Sequence, residues 1–251
     1  MSGKPLAGKV ALVTGAGRNI GRAIALALAT DGASVAVNAR SNIDEIDAVV
    51  REIEAAGGRA FAAPADVAVE SAVQSMVASV VARYGRLDIL VNNAAVRRES
   101  PLAEIRYDDW REVLGTILDG AFFCVQASVP HLRASGAGTI VNIGGLTAHS
   151  GARDRLHVVT AKAGLAGMTK ALAHELATEN ITVNCVAPGL IAPVRGGSSA
   201  ISPQHHAATT NVVGRRGTPD EVAAAVRYLC SDGARYVTGQ TLHVNGGAWM
   251  G

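Results

Sequence analysis

The sequence predicts an α/β fold in which a doubly wound parallel sheet of about seven strands carries helices on both faces. Short apolar runs alternate with segments of helical length along the chain. Small residues dominate, because the chain has 28 glycines and is 49% hydrophobic but only 4% aromatic. This composition is typical of buried parallel strands that lie close beneath their helices. The first apolar run also leads directly into a glycine-rich turn.

The individual elements follow from the spacing of the apolar residues. Residues 9–14 predict a short buried strand, and the Ala/Leu-rich residues 22–29 predict the helix after the turn. Amphipathic helices are expected over residues 43–56 and 70–84, each ended by glycine. The other predicted strands are residues 33–38, 60–65, 87–91, 139–143, 181–186 and 240–244, and the other long helices are residues 107–131 and 154–178.

The last helix has a clear start signal. Thr218 fits the N-cap, Pro219 the first helical position and Glu221 the third, which is the pattern of a capping box. The preceding residues 194–213 are small and polar and predict a mobile substrate lid.

Length and charge limit the functional classes. The 251 residues contain no linker or repeat, so we expect one domain spanning residues 1–251. A net charge of +2 predicts no nucleic-acid partner. Cys124, Cys185 and Cys230 lack metal-type spacing, so we expect buried free thiols and no metal site. With no signal peptide and no apolar run of membrane-spanning length, a cytoplasmic protein without a membrane partner is expected.

The glycine-rich turn predicts a dinucleotide site. A strand that passes through such a turn into a helix aims backbone N–H groups and the helix N-terminus at a pyrophosphate. Gly15 and Gly21 delimit this turn, and the context on both sides favours cofactor binding over a merely structural turn.

The end of the second strand indicates which dinucleotide binds. An Asp or Glu there would hold the 2′-hydroxyl of NAD, whereas this chain has Ala39, Arg40, Ser41 and Asn42. Arg40, with Arg18 in the turn as a second cation, suits a 2′-phosphate. NADP(H) is therefore favoured over NAD(H).

Motifs along almost the whole chain resemble the short-chain dehydrogenase/reductase family, most closely its 3-oxoacyl-acyl-carrier-protein reductases. They are residues 14–21, 66–67, 92–95, 188–189 and 236–240, together with Lys162. The resemblance implies a Rossmann-type sheet, a small-molecule substrate and a homotetramer. Turn, charge and resemblance together predict a cofactor set of Gly15, Arg18, Asn19, Ile20, Gly21, Arg40, Ser41, Asp66, Val67, Asn93, Ala94, Lys162, Pro188 and Gly189.

Two departures from the family pattern lie on the cofactor side and are mild. Asn19 stands where the family has the second turn glycine, and asparagine tolerates positive φ better than most residues. Ala95 ends the Asn-Asn-Ala-Gly motif and adds one methyl group. We expect cofactor binding to survive both changes.

The departures at the catalytic positions are severe. The family works with Asn, Ser and a Tyr-x-x-x-Lys pair, and tyrosine and lysine at i and i+4 share a helix face. Only the lysine, Lys162, is present. The other positions are Ile117 for asparagine, Gly145 for serine and Val158 for tyrosine, and Pro193 stands where a nicotinamide-contacting threonine is usual.

Carbonyl reduction needs a proton for the growing alkoxide, and these residues supply none. A positioned general acid contributes about 10²–10⁴-fold. His157 adjoins the vacant tyrosine position but lies about 100° around the helix. His149 lies in the segment before that helix, which lines the family's pocket. A histidine or a water molecule is thus the expected proton donor, beside Lys162.

Five arginines predict an anionic substrate. Arg97 and Arg98 follow the fourth strand, Arg153 and Arg155 precede the long helix, and Arg195 opens the lid. All five belong to loops at the carboxyl edge of the sheet, where ligands bind in such folds. Guanidinium groups there suit a carboxylate or phosphate.

Three hypotheses remain from the sequence. The first is an NADP(H)-dependent oxidoreductase with a substituted catalytic set. The second is a non-redox lyase, isomerase or dehydratase on the same scaffold, and the third is a catalytically silent subunit or cofactor sensor. Family members that resemble halohydrin dehalogenases keep Ser and Tyr but lose the cofactor turn. This chain shows the opposite pattern, which favours the first and third hypotheses.

Overall fold

The computed structural model describes residues 3–192 and 211–251. Its seven strands form one parallel sheet with the spatial order β3-β2-β1-β4-β5-β6-β7. The predicted doubly wound α/β fold is confirmed. The strands are β1 (Val10–Val13), β2 (Ser34–Val37), β3 (Arg59–Ala62), β4 (Ile89–Asn92), β5 (Thr139–Ile143), β6 (Thr182–Pro188) and β7 (Thr241–Val244).

Helices cover both faces of this sheet, because each strand returns to the next parallel strand through a helical crossover. They are α1 (Asn19–Thr30), α2 (Ile43–Ala55), α3 (Glu70–Tyr84), α4 (Tyr107–Leu114), α5 (Gly120–Ala134), α6 (Thr147–Ser150), α7 (Leu156–Leu176) and α8 (Pro219–Cys230).

Two hydrophobic clusters, one on each face, hold the layers together. Ile24 and Leu28 of α1 pack with Val226 of α8 on one face. Val77 of α3 and Leu132 of α5 pack together on the other. β1, β2, β4, β5 and β6 are buried at every position, as their apolar sequences predict.

The strand order reverses between β1 and β4. The chain moves outward from β1 to β3 and then returns to place β4 on the other side of β1. In open α/β sheets, ligands bind in the crevice at such a switch point, beyond the carboxyl ends of the strands. This topology therefore brings the glycine turn after β1 beside the segment after β4.

The start of α7 departs from the sequence prediction. Gly151 and Asp154 adopt positive φ angles of 72° and 59°, so the chain cannot be helical there. The helix begins at Leu156 rather than at residue 154, and the short helix α6 was not predicted. Arg155 is the N-cap and lies outside the helix, so it precedes the helix that carries Val158 and Lys162.

The predicted helix over residues 107–131 is longer and contains an irregular turn. α4 and α5 are joined by a π-helical turn, Gly115–Asp119, into one helix of 28 residues. By length and hydropathy alone, Tyr107–Ala134 is the helix among the described residues that qualifies as a membrane span, which corrects the expectation that no apolar run has this length. Within its most apolar 18-residue stretch, 44% of the residues are buried inside the fold. Core helices of soluble proteins pass the same test, so this is weak evidence for a membrane.

The end of the chain agrees with its sequence signals. Thr218 accepts a hydrogen bond from the N–H of Glu221 at 3.2 Å, and the Glu221 carboxylate accepts one from the N–H of Thr218 at 2.8 Å. The capping box is confirmed. Most of the predicted lid, with Pro193 and Arg195, lies outside the described residues.

Candidate cofactor and active site

The glycine turn is closely packed against the segment after β4. The side-chain amide of Asn93 donates to the carbonyl oxygens of Thr14 and Gly15, both at 2.9 Å. A Cβ atom on Gly21 would lie 2.3 Å from the Gly15 oxygen and 2.5 Å from that amide nitrogen. Only glycine fits at this position, so the turn keeps the close helix–strand approach of a dinucleotide site.

Thr14 and Asn38 were not predicted as site residues, yet both shape the turn. The Thr14 hydroxyl accepts from the N–H groups of Asn93 and Ala94, each at 3.0 Å. Asn38, which is 1% exposed, accepts from the Gly15 N–H at 3.3 Å and donates to the Ala63 carbonyl at 2.9 Å. Asn38 is a polar residue directly after the apolar strand β2, and this pattern could have indicated a site residue.

The N-terminus of α1 is open toward the cleft. Asn19, its first residue, has a φ of 48°, the conformation that glycine favours. Arg18 before it is extended and exposed, while Ile20 is buried against the core. No acidic residue lies in the first turn, which favours a pyrophosphate at the helix end, although the Glu45 carboxylate of α2 lies close to Gly17.

Four further predicted cofactor residues follow the carboxyl ends of β2 and β3. Arg40 and Ser41 are exposed after β2, and an Arg40 nitrogen lies 3.7 Å from a Glu112 oxygen. The Asp66 carboxylate accepts from the N–H of Ala68 at 3.0 Å, and Val67 is buried. The cleft thus places one solvent-exposed cation, Arg40, beyond the end of β2.

Pro188 and Gly189 join three segments at the carboxyl edge. The Pro188 carbonyl accepts from the N–H of Leu146 at 2.8 Å. A Cβ atom on Gly189 would lie 2.6 Å from the Cα of Asn245. Glycine is therefore required where the chain after β6 passes the end of β7.

Lys162 is a buried polar group of the candidate active site with a defined hydrogen-bond partner. Its side chain is buried on α7, and Nζ donates to the Ile143 carbonyl at the end of β5, at 2.5 Å. The pKa of Lys162 is lowered to about 8, chiefly by burial; Cys185 raises it, and the charges of Arg97 and Arg155 lower it. The amine therefore titrates near physiological pH.

Two of the three substituted catalytic positions belong to an apolar cluster. Val158, at the tyrosine position, and Ile117, at the asparagine position, are 4% and 1% exposed and belong to one cluster with Val113 and Leu165. Ile117 lies in the π-helical turn. A Cβ atom on Gly145 would meet no atom within 4 Å, so a side chain has room there. Neither Val158 nor Ile117 has a polar side chain to offer a substrate oxygen.

Four cations between the glycine turn and Lys162 influence one another electrostatically, and we name Arg18, Arg97, Arg155 and Lys162 the basic row. Surrounding protein and the charge of Arg18 both lower the pKa of Arg97. Burial lowers the pKa of Arg155, Glu99 raises it, and Arg97 lowers it again. Arg97 is nonetheless in contact with water, as expected for a side chain within an open cleft.

The structure does not bring all five predicted arginines together. Arg98 pairs instead with Asp109 and Glu112 of α4. The Arg153 side chain is 93% exposed and lies 3.6 Å from Asp154. Of the five, Arg97 and Arg155 interact with Lys162, and Arg195 lies outside the described residues.

The two candidate histidines make other contacts. His157 is fully buried, and its Nδ1 accepts from the N–H of Val158 at 3.1 Å. Burial lowers the pKa of His157. The ring of His149 contacts those of His243 and Trp249, with centroids 4.6 and 4.9 Å away, and burial lowers its pKa as well. Both histidines are thus disposed to be neutral at pH 7.

Comparisons with known proteins agree with this geometry. A family described as Enoyl-(Acyl carrier protein) reductase matches residues 15–248. The 3-oxoacyl-[acyl-carrier-protein] reductase FabG of Staphylococcus aureus is 41% identical over 96% of this chain and 98% of its own. The short-chain reductase protein NovJ of Streptomyces niveus is 41% identical over 95% and 93%, respectively.

Solved structures are similar over nearly the whole fold. A short chain dehydrogenase from Burkholderia cenocepacia in complex with NADP is 37% identical, with a TM-score of 0.90 over 97% of this chain and 99% of that one. A dehydrogenase/reductase from Sinorhizobium meliloti is 36% identical, with a TM-score of 0.92 over 99% and 98%. The chain belongs to the short-chain dehydrogenase/reductase family of NAD(P)-dependent oxidoreductases.

The lowered pKa of Lys162 predicts how stability changes with pH. Between pH 8 and 10.5 the unfolded chain holds a proton on Lys162 that the folded chain has released, so the free energy of unfolding rises with pH. The full rise is about 3 kcal/mol at 1.36 kcal/mol per pKa unit. Denaturant titrations across this range should show a clearly smaller rise for Lys162→Met. The exposed Lys170→Met, on the same helix, is the control, and equal slopes for wild type and Lys162→Met would contradict the assignment.

Proposed function

We propose that this protein is an NADP(H)-dependent oxidoreductase that acts on a small anionic carbonyl or hydroxyl compound without a tyrosine proton donor. The observation that carries the proposal is the basic row, which leads from the cofactor turn to Lys162. The basic row joins the proposed cofactor site at Arg18 to a proposed cationic substrate site at Arg97, Arg155 and Lys162.

Electrostatics support an anionic substrate. Arg97 and Arg155 each lower the pKa of Lys162, so their charges oppose its protonation, and Glu99 offsets part of the charge of Arg155. A carboxylate between them would relieve that repulsion and accept charge-assisted hydrogen bonds. The neighbouring Val158 and Ile117 offer only apolar surface, which suits a short aliphatic part of the same molecule.

The preference for NADP(H) rests on the end of β2. Arg40 is exposed, and its contact with Glu112 is a long surface ion pair, which a phosphate displaces at little cost. The similar Burkholderia cenocepacia structure contains NADP, which supports this choice. No carboxylate in residues 39–42 repels a 2′-phosphate.

We propose that water, rather than a histidine, delivers the proton. When bound, the nicotinamide cofactor exchanges a hydride with the substrate carbon. A water molecule then protonates the alkoxide, and the Lys162 ammonium replaces the proton lost by that water. Neutral His157, whose ring is turned back onto its own helix, is a poorer donor.

A catalytically silent subunit or cofactor sensor is the second candidate. The packing of Val158 and Ile117 into one apolar cluster favours it, because that arrangement leaves the substrate oxygen without a tyrosine or asparagine partner. In this case the cofactor binds normally and no substrate is turned over.

We further propose that the protein is a cytoplasmic homotetramer. Its relatives' family suggests this assembly, and the exposed Phe122 on α5 and Leu242 on β7 offer apolar contact surface. Light scattering of the purified protein tests the assembly, and a monomeric mass would refute it.

Cofactor binding is the first experiment. Calorimetry should show NADPH binding about tenfold or more tightly than NADH, the effect of one charge-assisted contact. Arg40→Glu should abolish that preference. Arg106→Glu is the matched control, since Arg106 is an exposed arginine paired with Asp108 away from the turn. If neither nucleotide binds, the cofactor proposal fails and a non-redox enzyme becomes the leading hypothesis.

Substrate binding tests the basic row. With NADPH present, a panel of 2-oxo acids should include one that is slowly reduced, and Arg97→Met or Arg155→Met should raise its KM about 10–100-fold. Arg153→Met, which removes an almost fully exposed arginine, should leave KM unchanged. Tight NADPH binding without turnover of any substrate would instead support the silent subunit.

Rebuilding the catalytic pair distinguishes a missing donor from a missing site. Gly145→Ser fits into open space. Combined with Val158→Tyr, it restores both the serine and the tyrosine that lies four residues before Lys162. With NADPH and a 3-oxoacyl thioester, the double variant should reduce substrate about 10²–10⁴-fold faster than wild type. Gly167→Ser, at an open glycine position on α7, is the control. A folded, NADPH-binding double variant without any gain would show that more than the proton donor has been lost.

A further inference from the structure

A second, separate recess lies at the opposite edge of the sheet from the cofactor turn. Its volume is about 300 Å³, at the lower end of the range for small-molecule sites. It lies where β3 begins and where α2 and α3 end, whereas the glycine turn follows the carboxyl end of β1. The recess is lined by Glu54, Gly58, Arg59, Ala60, Arg83 and Tyr84.

Aromatic rings hold both arginines of this recess. The guanidinium carbon of Arg59 lies 5.3 Å from the centre of the Tyr84 ring. That of Arg83 lies 5.2 Å from the Phe61 ring and 5.8 Å from the Tyr84 ring. The two rings themselves meet edge to face at 5.6 Å. Cation–π contacts do not use the hydrogen-bonding capacity of the guanidinium N–H groups, which a ligand can then accept from.

Neither arginine is neutralised by a carboxylate. Within residues 3–192 and 211–251, no Asp or Glu oxygen comes within 4.0 Å of a guanidinium nitrogen of Arg59 or Arg83. The nearby Arg22 and Arg86, by contrast, pair closely with Glu52 and Asp88. Both helices that end here direct their partial negative charge toward the recess, which favours arginines but offsets only part of two full charges.

We propose that this recess binds the phosphate group of a small metabolite, separately from the cofactor and substrate site. Two planar guanidinium groups can each donate two parallel hydrogen bonds to phosphate oxygens, and together they balance a dianion. The Tyr84 hydroxyl supplies a further donor. Glu54 disfavours a second anionic group on the ligand.

Protection from arginine modification tests the site directly. Phenylglyoxal is reacted with the full chain, with and without inorganic phosphate, and the modified arginines are mapped by mass spectrometry. Phosphate should slow modification of Arg59 and Arg83 several-fold but leave Arg51, an exposed arginine on α2, unaffected. Acetate at the same ionic strength should protect neither. Equal protection of Arg51, equal protection by acetate, or no protection at all would overturn the proposal.

Variants test the role of each group by phosphate calorimetry. Arg59→Gln with Arg83→Gln should reduce the heat to that of the cofactor cleft alone, and Arg51→Gln should change nothing. Glu54→Gln should tighten phosphate binding about 2–5-fold by removing a partly screened repulsion. Tyr84→Leu should weaken it while both arginines remain. An unchanged affinity in Glu54→Gln and in the double arginine variant would refute the site, and neither result depends on redox activity.

Discussion

The hydrogen bonds between the ends of β1 and β4 are the constraint on which the cleft depends. Thr14 and Asn93 satisfy each other's backbone groups across the switch point of the sheet. They draw the glycine turn so close that Gly21 has no room for a side chain. This contact positions the N-terminus of α1, which follows β1, relative to the loop with Arg97, which follows β4. A loss of either polar side chain would leave buried N–H or C=O groups unpaired.

The two halves of the site have diverged in their chemistry. On the cofactor half, glycine, asparagine and the open helix end keep the polar geometry that a pyrophosphate needs. On the substrate half, Val158 and Ile117 replace polar groups with a packed apolar cluster. Lys162 connects the halves, since it is buried on the same helix as Val158 and interacts with Arg97 and Arg155. Because Val158 has no hydroxyl group, it offers Lys162 no hydrogen bond. The charges of Arg97 and Arg155 therefore have more influence on the pKa of Lys162.

The sequence predicted the fold well because strand burial and helix caps are local properties. The apolar strands, the end of α3 at Gly85 and the capping box at Thr218 all follow from residues within a few positions of one another. The irregular parts could not be predicted in the same way. The break before α7 depends on Asp154 adopting a positive φ, which is uncommon for a non-glycine residue. The pairing of Arg98 with Asp109 and Glu112 depends on how α4 packs, and the spacing of charges along the chain does not reveal it.

The same reasoning explains why five arginines that look alike in sequence divide into different roles. An arginine on the rim is stabilised by the nearest carboxylate and by water, so Arg153 and Arg98 gain little from a substrate. Arg155 is buried, with Glu99 and Arg97 as its charged neighbours, whereas Arg97 is exposed and is influenced by Arg18. Placing the charges of Arg97 and Arg155 near the buried Lys162 ammonium raises the free energy of the charged form of that lysine. A bound anion removes this penalty, so its binding energy includes the relief of a repulsion already present in the empty cleft. This favours a ligand-binding role for the basic row over a purely structural one, even though the tyrosine that usually completes the site is absent.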